Sequence, residues 1–168
     1  IIFCDCDLLF LGDMEDAFKE FDFDIEQTFR NHVEHGKSRI PINGGVLFVH
    51  NNDRTKHFMR EYLRINNEMY KDPAFHGPYR LKYAGMNQSA IGYLLEHPEL
   101  HNCKLLDLPC AKWNNCNTEW HLFNNDTRCV HYKSALRRAA LGQSPSNGIM
   151  QPFVNLWKKY EAEYKRGI

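Results

Sequence analysis

The sequence predicts an α/β layered fold, a single domain in which buried strands alternate with amphipathic helices. Two observations lead to it. Short apolar, β-branched or aromatic runs recur at residues 1–3, 46–49 and 104–108, each ended by a charged pair, a polar segment or a proline. Between them, residues 53–70 place Phe58, Met59, Tyr62, Leu63 and Ile65 at helical spacing, and residues 87–96 repeat that habit before His97-Pro98 stops them. A length of 168 residues is enough for one domain with a real core.

The elements follow in order. Ile1-Ile2-Phe3 reads as a buried strand that ends at Asp5-Cys6-Asp7. Gly12-Asp13 makes a turn, and residues 14–18 form a short helix with acids in its first turn. Phe21-Asp22-Phe23-Asp24-Ile25 alternates apolar and polar, the pattern of a strand. Residues 31–39 are polar and basic, an exposed loop. Asn43-Gly44-Gly45 is a glycine turn into the strand 46–49, and Asn52 or Asp53 caps the long helix after it. Residues 73–78 lie between prolines and read as a loop; residues 114–125, rich in Asn and Trp, read as a surface loop. Residues 128–131 form a last strand. The segment 144–168 is a linker followed by an amphipathic C-terminal helix carrying Trp157, Tyr160 and Tyr164.

Composition narrows the function. Lys plus Arg (21) balance Asp plus Glu (21), so no global basic field attracts nucleic acid, and a polyanionic ligand needs a metal or a few local cations. No apolar stretch approaches the roughly 18–20 residues of a membrane span. Six cysteines without a C-x-x-C pair make neither a disulfide scaffold nor a zinc ribbon; one bridge among Cys110, Cys116 and Cys129 is open in an oxidising compartment, and buried thiols are the favoured reading. The compartment is not legible, with a cytoplasmic location favoured for a microbial or viral source.

Chemistry concentrates at Asp5 and Asp7. Side chains two apart at the end of a strand share one face, so both carboxylates reach one hard cation. Mg²⁺ and Mn²⁺ favour such oxygen ligands and commonly add substrate phosphates to them. The alternative is two solvated acids at a strand end.

The segment Ile-Ile-Phe-Cys-Asp-Cys-Asp-Leu-Leu-Phe-Leu-Gly-Asp-Met resembles the D-x-D region of GT-A-fold, nucleotide-diphospho-sugar-dependent glycosyltransferases. Residues 21–30 resemble that family's next strand, ending in Thr-x-Arg, and residues 43–49 with the helix 53–70 resemble its acceptor-side unit. Gly85-Met86-Asn87-Gln88-Ser89-Ala90 resembles the Asp-Gln motif beside the donor sugar, and His131-Tyr132-Lys133 the C-terminal His-x-Lys. The resemblance covers residues 1–138. It implies a GT-A-like, Rossmann-like mixed sheet flanked by helices, with an N-terminal nucleoside-binding part largely missing from the chain. It further implies Mn²⁺ or Mg²⁺ on Asp5, Asp7 and His131, a donor diphosphate met by Lys133, with Arg30 and Asn43 among the donor-binding residues, and donor or acceptor hydroxyls positioned by Asn43, Asn87 and Gln88. The implied partners are a nucleotide-sugar donor and a carbohydrate or glycoconjugate acceptor. Asn87 departs from the family's aspartate: a neutral amide hydrogen-bonds but serves neither as nucleophile nor as base.

Each assignment has a structural alternative: a turn at Asn43-Gly44-Gly45, a structural imidazole at His131, a surface lysine at Lys133. The Trp113-Asn114-Asn115 segment either stacks on an acceptor sugar or anchors the core. Two rivals remain for the whole. A haloacid-dehalogenase-type phosphatase also opens on a strand and D-x-D, but expects Thr or Val where this chain has Leu9, and a later acidic pair where only single acids such as Asp107 and Asp126 occur. The other is a non-catalytic, glycosyltransferase-like interaction domain.

Overall fold

The computed structural model describes residues 1–30, 41–117 and 119–167. The main sheet has four strands in the order β1 (Ile2–Cys4), β4 (Ile42–Val49), β3 (Ile25–Phe29) and β5 (Leu105–Pro109). β4 runs antiparallel to both neighbours, while β3 and β5 are parallel, so the sheet is mixed. A second, two-stranded antiparallel sheet pairs β2 (Leu8–Phe10) with β6 (Cys129–His131).

Alternation along β4 sends Leu47 and Val49 to one face and Val46 and Phe48 to the other. The first face is covered by α2 (Asp53–Lys71) and α4 (Met86–Glu96), whose Phe58, Ile65, Met69, Ala90 and Leu94 close a core with Ile25. On the second face lie α1 (Asp16–Glu20) and α5 (Cys110–Trp113), contributing Ala17 and Trp113 to a cluster with Phe23 and Phe48. α6 (Ser134–Ala140) and α7 (Gln151–Lys165) pack against each other and β6 through Leu136, Ala139, Phe153 and Val154, and the Tyr132 hydroxyl donates to the Phe153 carbonyl. The C-terminal segment is thus part of a shared core. No helix among the described residues is long and apolar enough to cross a membrane.

Local chemistry explains the boundaries. Asn52 caps α2 by accepting from the Thr55 N–H while the Thr55 hydroxyl accepts from the Asn52 N–H, a reciprocal capping box. The buried Asp24 carboxylate joins three elements, taking hydrogen bonds from Asn52, Arg54 and the Lys104 N–H. Burial alone would raise its pKa; those three donors outweigh burial and hold it below the usual carboxylate value.

Several expectations are corrected. β1 is an outer strand with Phe3 about half exposed, because its one strand partner among the described residues is β4. The strand expected over residues 21–25 begins at Ile25; Phe23 and Asp24 are buried as a loop, and burial rather than pleating made the alternation. Residues 73–78 are helical: α3 (Pro73–Tyr83) starts with Pro73 in its first turn, where no N–H is needed, and Asp72 caps it on Ala74 and Phe75. Pro78 sits inside that helix and leaves one backbone bond unmade. The expected surface loop over residues 114–125 carries fully buried Asn114, Asn115, Cys116 and Glu119. The expected loop over 31–39 lies outside the described residues. The favoured reading of the cysteines agrees with the structure: Cys110, Cys116 and Cys129 are buried free thiols.

Candidate functional site

Asp5-Cys6-Asp7 is the crossing point between the two sheets. The Asp5 N–H donates to the Gly45 carbonyl at 3.0 Å, extending the β1–β4 ladder, while the Asp7 carbonyl accepts from the Tyr132 N–H at 2.7 Å, extending β2–β6. The His131 N–H donates to the Asn115 carbonyl, so β6 is held on its other edge as well. This backbone frame brings three side chains together. His131 Nε2 lies 3.1 Å from Asp7 Oδ1 and 3.5 Å from Asp5 Oδ2. One ligand atom from each of the three residues lies within 4.8 Å of the other two. The His131 side chain is 4% exposed, that of Asp7 15% and that of Asp5 56%, so the cluster opens to solvent on the Asp5 side.

Asn43-Gly44-Gly45 belongs to β4 itself, and neither glycine has a positive φ, so no turn is made there. The β3–β4 register instead jumps from Gln27↔Leu47 to Thr28↔Asn43, leaving residues 44–46 as a bulge. The bulge needs glycine for space: a Cβ on Gly45 would fall 2.5 Å from His131 Cε1 and Nδ1. Asn43 is buried and braces the bulge, its Oδ1 accepting from the Gly45 N–H and its Nδ2 donating to Cys116 Sγ. Gln88, in the first turn of α4, accepts from the Gly44 N–H and donates to the Tyr83 carbonyl. Asn87, beside it, is exposed.

The cations lie on the other flank. Lys133 follows β6 and shares a cleft of about 350 Å³ with Asp5, Cys6, Asp7, Asn43, Gln88, His131 and Arg137. Arg137, from α6, donates to Asp7 Oδ2 at 3.1 Å. Burial, with help from Arg30, lowers the Lys133 pKa; burial also lowers that of His131, against the pull of Asp7 and Asp5 and with the push of Lys133. Arg30 is buried at the end of β3, behind the cleft. The Cys116 thiol is depressed chiefly by a hydrogen bond from Cys110, with the Arg30 charge adding to it. A second cleft, of about 290 Å³, adjoins through Asp5, Gly44 and Gln88 and is walled by Phe58, Met59, Tyr62 and Ile91, with Asn87 at its rim.

Of the residues expected from sequence, Asp5, Asp7, Asn43, Gln88, His131 and Lys133 meet in one cleft. Asn87 opens onto the adjoining one and Arg30 stands behind. Trp113 is a packed anchor, 1% exposed and edge-on to Phe48, and no platform for a sugar. Arg137 was not singled out from sequence, and Asn114 was weighed only with Trp113 and Asn115 as an acceptor contact; its Oδ1 instead lies 3.0 Å from His131 Nδ1. Neither of these contacts carried a sequence signal, because each residue reaches the site by tertiary approach.

A family model for nucleotide-diphospho-sugar transferases matches residues 1–135. The chain belongs to that family. No curated protein and no solved structure gave a match. In a nucleotide-diphospho-sugar transferase the mixed sheet flanked by helices is the expected architecture, and glycosyl transfer from a sugar donor is the general activity. This rules against the phosphatase reading of Asp5 and Asp7.

The donor set of this transferase suits a hard or borderline divalent cation: two carboxylates supply oxygen, one imidazole supplies nitrogen, and no thiolate among the described residues joins them. The three residues line the same cleft as the cationic side chains of Lys133 and Arg137.

Proposed function

We propose that the chain is a metal-dependent glycosyltransferase that binds the diphosphate of a nucleotide-sugar donor in the Asp5–Asp7–His131 cleft. The observation that carries this reading is the convergence of three ligand atoms within 4.8 Å, in the same cleft as Lys133 and Arg137. Asp5, Asp7 and His131 would hold Mn²⁺ or Mg²⁺, which when bound supplies Lewis-acid neutralisation of the leaving diphosphate. Lys133 and Arg137 add fixed positive charge where negative charge develops, and the partial burial of Lys133 makes its contribution larger than in open water. Gln88 and Asn43 keep the β4 bulge in place, and Asn87 presents an amide to hydroxyls of the sugar in the adjoining cleft. Asn87 cannot take a proton at neutral pH, so its role is orientation.

The test is release of nucleoside diphosphate from a panel of nucleotide sugars, with and without Mn²⁺. Asp7→Asn should lower the rate by about 100-fold or more while the circular dichroism spectrum is retained. Undiminished turnover in Asp7→Asn, or in excess chelator, would sink the assignment.

A further inference from the structure

We propose that Asn114 is a positioning residue that determines which nitrogen of His131 faces the cation; the proposal rests on the cation site just described. The Asn43 carbonyl oxygen can only accept, and it takes the Thr28 hydroxyl proton at 2.7 Å. It also lies 3.3 Å from one end of the Asn114 amide, which must therefore be the NH₂. Thr28, its proton already given, accepts from that same NH₂ at 2.8 Å. Two partners thus set one orientation, and the Asn114 side chain is fully buried among them.

With the NH₂ so fixed, Asn114 Oδ1 points at His131 Nδ1 at 3.0 Å and requires a proton there. In a neutral imidazole the other nitrogen then carries the lone pair. That nitrogen, Nε2, is the one facing Asp7 Oδ1 at 3.1 Å and Asp5 Oδ2 at 3.5 Å. The ring has no room to shift toward β4, because its Nδ1–Cε1 edge lies against Gly45. The buried chain from the Asn43 carbonyl through Thr28 and Asn114 to His131 therefore leaves three acceptor atoms converging without a proton between them. A divalent cation completes such a set, and an amide that fixes the tautomer acts on affinity without touching the ion.

Long-range ¹H–¹⁵N NMR on the metal-free chain labelled with ¹⁵N-histidine, at pH 8, reads the tautomer; calorimetric titration with Mn²⁺ reads affinity. In the wild-type chain His131 should carry its proton on Nδ1, with Nε2 bare. Asn114→Ala should lose that preference and bind Mn²⁺ about 10–100-fold more weakly. Asn114→Asp, which keeps an oxygen toward Nδ1, should restore the Nδ1 proton. A bare Nδ1 in the wild-type chain overturns the proposal, and so does an unchanged tautomer in a folded Asn114→Ala chain. The wild-type spectrum is decisive even if that variant fails to fold. A wild-type chain with the Nδ1 proton in place but no Mn²⁺ binding supports Asn114's control of the tautomer and overturns the cation site, so the two failures are distinguishable.

Discussion

Gly45 and Gly44 sit side by side in the β4 bulge, yet their tolerance to a methyl group should differ sharply. At Gly45 the added Cβ meets an imidazole ring at 2.5 Å, wedged between β4 and Asn114; at Gly44 it meets Gln88 Cγ at 3.2 Å, part of a flexible side chain. Gly45→Ala should displace His131 and weaken Mn²⁺ binding at least about tenfold, the loss typical when a metal ligand's support is disturbed, whereas Gly44→Ala should stay within a few-fold of wild type. Calorimetric titration of both variants, with circular dichroism as the folding control, makes the comparison; matching affinities would remove the steric argument. Sequence spacing pointed to these glycines but gave them a turn. A glycine pair marks an unusual backbone need, and only the tertiary approach of β6 reveals that the need is space. Asp5 and Asp7 were legible because their geometry is local: two acids at the end of one strand. Asn114 was not, since its partners Thr28, Asn43 and His131 come from separate strands.

β3 is an interior strand of the main sheet, flanked by β4 and β5, and it carries Glu26 with both carboxylate oxygens buried and without hydrogen-bond partners among the described residues. Burial, and secondarily the charge of Glu20, push this carboxyl up to about 8. The unfolded chain releases the proton near 4.5, the native chain near 8. Between those values the unfolded state has lost a proton that the native state keeps, so stability falls as pH rises through the window and levels off above it. The cost at pH 7 is on the order of 3 kcal/mol. Glu26→Met, of similar shape and without charge, should raise Tm at pH 7 by roughly 5–10 °C, with the gain fading toward pH 4.5. A gain independent of pH would contradict the assignment. The sequence read α2 and α4 correctly because their apolar spacing is long and regular. It missed α3 because Pro73 and Pro78 signal a break, although Asp72 before Pro73 was a helix start in plain view. It placed β3 four residues early, because Phe23 and Asp24 are buried for reasons unrelated to pleating: one fills the core, the other ties β3 to α2 and β5.

At the scale of the molecule, the ligands of the proposed cation belong to different sheets: Asp5 extends β1, while Asp7 and His131 belong to the β2–β6 pair. A cation binding all three favours the native state by mass action, by about 2.7 kcal/mol at a hundredfold excess over Kd. Mn²⁺ at that excess should raise Tm by roughly 5–10 °C, and Asp7→Asn should abolish most of the rise. A melting curve insensitive to Mn²⁺ would count against a site spanning the two sheets. The α/β class was legible from the succession of strands and helices. The division into two sheets was not, because β2 follows β1 after three residues, Asp5, Cys6 and Asp7, and only its pairing with distant β6 separates them. That short crossing would give the proposed cation a second role: once bound, it would act as a removable clasp across the seam between the sheets, and its departure would free the seam before either sheet melts. Heat or chelation would then silence the molecule while its secondary structure is still intact.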